Sequence, residues 1–177
     1  MDKKELRKKI REQKRAMTEE QIVSASARLG ELFLACPQYQ AAKTIYGYLP
    51  YNHEVRTVPM LEQAMRVGKR VAVPKGYGDE MRFIYLEDLS QVEKGYANIP
   101  EPIADDPVAD DPTALVLMPG MAFTTDGKRM GYGGGFYDKF LAAEPNHPTV
   151  ALCYAFQMVE DLPTEDYDIP VDCVLWA

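Results

Sequence analysis

The stretch "ALVLMPG" at 114–120 is an unbroken apolar run closed by Pro-Gly. A strand with one face in water alternates apolar and polar residues, so a run without alternation reads as a strand buried on both faces. The flanking segments supply the cover. "KTIYGYLP" (43–50) reads as a short strand and "VRTVPMLEQAMRVG" as a helix closed by glycine. "KRVAVPK" and "MRFIYLEDL" read as strands, "GGGFYDKFLAA" as a helix, and "PTVALCYAF" and "DCVLW" as two final strands. This alternation predicts an α/β fold: a three-layer α/β/α single domain over 1–177 with a mainly parallel central sheet.

Upstream, residues 2–16 contain good helix formers and no Gly or Pro, with a thin apolar stripe of Leu6, Ile10 and Met17. Lys3 and Arg7, four apart, share a face; Lys4, Lys8, Arg11 and Arg15 form another, expected to be solvated. Thr18 followed by Gln21 is a capping box opening a second helix, which Pro37 is expected to end. Segment 87–112 is rich in Pro and Asp, and reads as a long surface connection whose acid clusters are solvated turns.

Charge is uneven. Residues 1–16 carry eight Lys/Arg against three Asp/Glu, leaving twelve basic and 24 acidic residues in the remainder. A chain so acidic outside its first helix lacks the broad basic face that nucleic acid requires. No stretch reaches the roughly 18 apolar residues of a membrane span, and the charged start has no apolar signal core. Cys36, Cys153 and Cys173 are odd in number and lack metal or redox spacing, as suits a reducing cytoplasm. A monomer or weak homodimer is expected.

In open α/β sheets, ligands bind beyond the carboxyl ends of strands. "YLPYNHEVRT", "PGMAFTTDGKRMGYGGGFYDK" and the loop after "VALCYAF" fall there. Gly133, Gly134 and Gly135 precede a helix start, where bare backbone amides make an anion cradle, although a plain glycine-rich turn fits the same letters. The spacing matches neither standard nucleotide loop. Asp138 in the first turn of that helix suits either the helix dipole or a Mg²⁺ ion beside phosphates. Asp168 in "EDYDIPVD" is a second candidate, and Glu54 either anchors a substrate N–H group or is surface charge. His53 and His147 are isolated, with no nucleophile beside them.

Together, "KKELR", "YLPYNHEVRT", "PGMAFTTDGKRMGYGGGFYDKFL" and "DYDIPVD" occur in the order seen in the 5-formyltetrahydrofolate cyclo-ligase family, which the chain resembles over nearly its full length. Within them R-x-G-x-G-x-G-[FY]-Y-D is highly specific. The resemblance implies ring closure of 5-formyltetrahydrofolate to 5,10-methenyltetrahydrofolate with ATP as co-substrate and Mg²⁺ as cofactor, releasing ADP and phosphate. It implies ATP contacts at Lys3, Lys4, Arg7, Arg129, Gly131, Gly133, Gly134, Gly135, Phe136 and Tyr137. The folate would meet Leu49, Glu54 and the 132–136 segment (Tyr132, Gly133, Gly134, Gly135 and Phe136). Magnesium would bind Asp138 and Asp168, with Arg129 and Asp138 serving catalysis. Phe136 stands where many members have Tyr, and Tyr132 occupies a variable position. The partners implied are small molecules, with no nucleic acid and no membrane.

Overall fold

The computed structural model describes residues 1–177, apart from the side chain of Tyr96. Helix α1 (Lys3–Arg15) is opened by Asp2, whose carboxylate accepts from Glu5 N while the Glu5 side chain accepts from Asp2 N. Helix α2 (Glu19–Ala35) opens with the expected capping box between Thr18 and Gln21. Pro37 does more than stop it. With its fixed φ, proline suits the first turn of a helix, and here it starts the short α3 (Pro37–Ala41) after an extended Cys36.

The central sheet contains β1 (Thr44–Tyr46), β2 (Arg70–Tyr77), β3 (Glu80–Leu86), and later β6 (Leu115–Met118), β9 (Thr149–Cys153) and β10 (Cys173–Trp176), in the order β10-β9-β6-β1-β2-β3. All neighbours are parallel except β2 and β3, which form an antiparallel hairpin across Gly78 and Asp79. The expected mainly parallel α/β sheet is present, with one reversed edge.

Side chains alternate across the sheet, which separates two cores. On one side Ile45, Val71, Val73, Leu115, Leu117, Val150 and Leu152 pack with Leu29 and Phe33 of α2 and with Met60, Leu61 and Ala64 of α4 (Val58–Arg66). On the other, Tyr46, Ala72, Val116, Met118, Ala151 and Cys153 pack with Leu141 of α5 (Phe136–Ala143). Helix α4 joins β1 to β2 on the first face and α5 precedes β9 on the second, giving the three layers expected. All four residues of β6 are buried, as the apolar run requires.

The segment 87–112 is the main departure. Rather than a plain surface connection it holds β4 (Val92–Lys94) and β5 (Pro100–Pro102), an antiparallel pair. Its continuation covers the β3 edge, with Tyr85 N donating to Pro107 O and Ala109 N to Phe83 O. Its acids are tied down by tyrosines: Tyr77 OH donates to Asp105 at 2.6 Å, and Tyr85 OH to Asp110 at 3.0 Å. A further hairpin, β7 (Ala122–Phe123) with β8 (Arg129–Met130), follows β6. Helix α1 docks on it through Ile10, packed with Met121, Ala122, Met130 and Leu162. Among the described residues, no helix is long and apolar enough to cross a membrane.

Candidate active site

From β1 the chain runs outward through β2 and β3; from β6 it runs the other way through β9 and β10. The strand order therefore reverses between β1 and β6, and the crevice beyond their carboxyl ends is where open α/β sheets place ligands. A cavity of about 1100 Å³ lies there, bordered by Tyr48 and Leu49 after β1 and by Pro119 and Met121 after β6. Helix α1, the turn 51–54, the glycine loop, the β2–β3 and β4–β5 hairpins, and Tyr167 with Asp168 complete its walls.

The glycine loop is built from backbone conformations that side chains disfavour. Gly133 and Gly135 have φ of 111° and 70°, and a Cβ at either would meet nothing within 4 Å. The positive φ explains the glycines, and the open space beside them lets a ligand approach the backbone. Gly135 caps the start of α5 without a side-chain cap hydrogen bond, and the first turn of that helix, Phe136 to Asp138, lines the cavity.

Arg129 lies behind the loop. Its Nε donates to Pro119 O at 2.8 Å, and its Nη1 is 3.6 Å from Asp138 Oδ2, with the two side chains 7% and 15% exposed. Burial pulls the guanidinium below its ordinary pKa, and Asp138 works against that pull most strongly, followed by Tyr137. Asp138 Oδ1 also accepts from Ile169 N at 3.1 Å, which ties α5 to the segment carrying Asp168. Asp168 is half-buried and accepts from Glu165 N at 2.7 Å.

Opposite stands a second polar group. Glu54 accepts from Tyr51 N at 2.8 Å through Oε1 and from Tyr132 OH at 3.0 Å through Oε2. Burial raises the Glu54 pKa, with Lys14 acting most strongly against the rise. The Lys14 pKa is lowered, again by burial first, with Glu54 opposing. His53 is fixed beside them, its Nδ1 2.5 Å from Lys14 O and its carbonyl accepting from Tyr154 OH at 2.7 Å.

The cavity thus brings together Lys3, Arg7, Leu49, Glu54, Arg129, Gly131 to Asp138 and Asp168. Lys4 does not join them; it is exposed and lies outside the lining. Arg11 and Arg15, expected in solvent, line the cavity instead, as does Lys14. Arg7 Nε donates to Gly131 O at 3.2 Å, so α1 is pinned to the glycine loop. Among the described residues, Lys3, Arg11 and Arg15 make no ion pair. The sequence carried a usable signal: Lys3, Arg7 and Lys14 stand at −7, −3 and +4 from Ile10, the helix's apolar anchor, and so share its face. The contributions of β4–β5 had no such local signal. His147 proves to be buried and structural, bonded to Ala114 O at 2.8 Å and to Glu144 at 2.9 Å.

Among the described residues no group of three or more His, Cys, Asp or Glu could hold a metal unaided. Magnesium needs no such cage: it keeps waters and takes one or two carboxylates together with phosphate oxygens. Asp138 and Asp168, hard oxygen donors on one cavity wall, fit that requirement.

Comparison with known proteins agrees with this architecture. The model of the 5-formyltetrahydrofolate cyclo-ligase family matches residues 1–177. The 5-formyltetrahydrofolate cyclo-ligase of Escherichia coli K12 is 32% identical over 173 residues, covering 94% of this chain and 95% of that protein. The mouse protein of the same name is 28% identical over 185 residues, covering 97% and 91%. The solved structure of Aquifex aeolicus 5,10-methenyltetrahydrofolate synthetase superposes with a TM-score of 0.85 at 28% identity, covering 99% of this chain and 90% of that one. With a family match along its whole length and the same fold in a solved relative, the chain belongs to the 5-formyltetrahydrofolate cyclo-ligase family.

Proposed function

We propose that the protein converts 5-formyltetrahydrofolate to 5,10-methenyltetrahydrofolate with consumption of ATP, releasing ADP and phosphate. One observation carries this reading beyond family membership: a glycine cradle flanked by cations and an apolar wall bearing a carboxylate share one cavity. Two substrates of different chemistry can therefore meet in it.

The reaction explains the residue types. A formamide oxygen is a poor leaving group. Transfer of the γ-phosphoryl group of ATP to that oxygen makes an imidate-like phosphate and leaves ADP. The second folate nitrogen attacks the activated carbon and loses its proton, and departure of phosphate leaves the methenyl bridge. Phosphoryl transfer asks the protein for position and charge stabilisation rather than a nucleophile.

In this reading Lys3, Arg7 and Arg129 carry the positive charge for the phosphates. The backbone of Gly131 and Gly133 to Tyr137 holds them close, and Arg129 aligns the transferred group. Asp138 and Asp168 would hold Mg²⁺, whose chemistry is to neutralise phosphate charge and orient the transferred group. Leu49 packs against the folate, Glu54 accepts from its N–H groups, and the 133–136 backbone is shared between the two ligands.

The test is direct. Protein, MgATP and 5-formyltetrahydrofolate are mixed and the absorbance of the methenyl product is followed; product requiring all three components is expected. Binding of ATP without any change in the folate would refute the reaction. Arg129→Ala should raise KM for ATP more than KM for folate, and the opposite order would overturn its assignment.

A further inference from the structure

Tyr132 is the only large side chain in a loop otherwise made of Gly131, Gly133, Gly134 and Gly135. Its residue is 48% exposed, yet its hydroxyl reaches two other walls of the cavity. It donates to Glu54 Oε2 at 3.0 Å, 78 residues away in sequence, and accepts from Lys14 Nζ at 3.4 Å, 118 residues away. The Lys14 ammonium also stands 5.6 Å from the centre of the ring. An ammonium only donates and an ionised carboxylate only accepts, so the polarity of the chain Lys14→Tyr132→Glu54 is fixed. The remaining Glu54 oxygen is held by Tyr51 N, inside its own turn. One oxygen is thus set locally and the other by the phosphate-cradling loop.

We propose that Tyr132 is a positioning residue whose hydroxyl orients Glu54 for the folate and ties that carboxylate to the glycine loop. It acts through Glu54, without itself being the group that recognises substrate. This inference rests on the proposed reaction and refines one side of its site. The titratable and charged groups facing Glu54 are Lys14 from α1, Tyr48 after β1, Tyr132 and Tyr137 from the loop and α5, Tyr154 after β9, and the neighbouring His53 and Arg56. Burial raises the Glu54 pKa and the Tyr132 hydrogen bond lowers it. Removing the hydroxyl therefore moves protonation of Glu54 to higher pH.

The experiment compares wild type, Tyr132→Phe, Glu54→Gln and the double variant by methenyl absorbance across pH, with both substrates varied. Tyr132→Phe should raise KM for folate roughly tenfold, the size of one hydrogen bond to a charged group. Its kcat and its KM for ATP should stay within about twofold of wild type. The acid limb of kcat/KM for folate should move to higher pH, and the double variant should match Glu54→Gln alone. An unchanged folate KM, an unmoved acid limb or additive losses in the double variant would overturn the proposal. So would an effect confined to thermal stability. Calorimetric titration of 5-formyltetrahydrofolate into wild type and Tyr132→Phe separates this from failure of the reaction. Weaker folate binding in the variant supports the link even without turnover, and equal binding refutes it.

Discussion

Removing the charge of Asp138 should destabilise the protein as well as stop its chemistry. Arg129 and Asp138 are 3.6 Å apart with side chains only 7% and 15% exposed, so water screens neither well. Two unit charges about 4 Å apart attract by about 4 kcal/mol at an effective dielectric constant near 20. Desolvation of both groups offsets much of that gain. Loss of one partner is a different matter, because the guanidinium stays buried with the Pro119 carbonyl as its remaining hydrogen-bonded neighbour. Such a deletion costs about 3–5 kcal/mol, and Asp138→Ala should fall in that range. Asp138→Asn keeps an oxygen for Ile169 N and should cost about 1 kcal/mol less. In urea titrations, Asp138→Ala combined with Arg129→Met should cost less than the sum of the single variants, with a coupling of roughly 1–3 kcal/mol. An Asp138→Ala variant within about 0.5 kcal/mol of wild type, or an additive cycle, would refute this account. Turnover should be lost in Asp138→Ala and in Asp138→Asn alike, although Asp138→Asn is the less destabilised of the two.

Leu117→Ala, in the middle of β6, should cost about 2–5 kcal/mol in urea titrations, since it opens a hole between α2 and α4; a cost below 1 would show that the layer can collapse. Burial pushes the Cys153 thiol from 9 up to about 12, and the Tyr154 hydroxyl from 10 up to about 12. Both bind their protons more tightly folded than unfolded, so their contribution is complete below about pH 9 and lost as pH rises toward 12. The urea midpoint should fall across that range, and a flat profile would contradict it. Gly133→Ala, at a φ of 111° with room for the methyl, should cost about 1–2 kcal/mol of backbone strain and raise KM for ATP. Unchanged affinity for ATP would remove the cradle from the phosphates.

The parts legible in sequence were those written locally. The β6 run, the Thr18 cap and the glycines before α5 each express a constraint satisfied within a few residues, and each appears in the structure. What sequence concealed depends on partners far along the chain. Arg11 and Arg15 looked like solvated charge because nothing near them says that residues 121–130 will dock beside their helix. The 87–112 segment read as a long surface connection because its strands are three residues each and its continuation is held by the β3 edge, at Pro107 and Ala109. Glu54 was a fair candidate, yet the tyrosine bonded to it and the lysine bonded to that tyrosine lie 78 and 40 residues from it. The Lys4 contact comes from the family resemblance, whereas the helix reading sets Lys4 on a different face from Lys3 and Arg7, adjacent positions pointing about 100° apart.

The docking of α1 also has a consequence for synthesis. Its anchor Ile10 packs on Met121, Ala122 and Met130, so one wall of the cavity waits for chain made more than a hundred residues later. A ribosome adding about 5–20 residues per second needs roughly 6–24 s to cover that distance. Through that interval a 13-residue helix is marginal in water. Its basic face meets the emerging acidic chain before it meets its own hairpin. This helix, made well before its docking partner, thus settles late, and the wall it forms closes only once the β7–β8 hairpin has emerged.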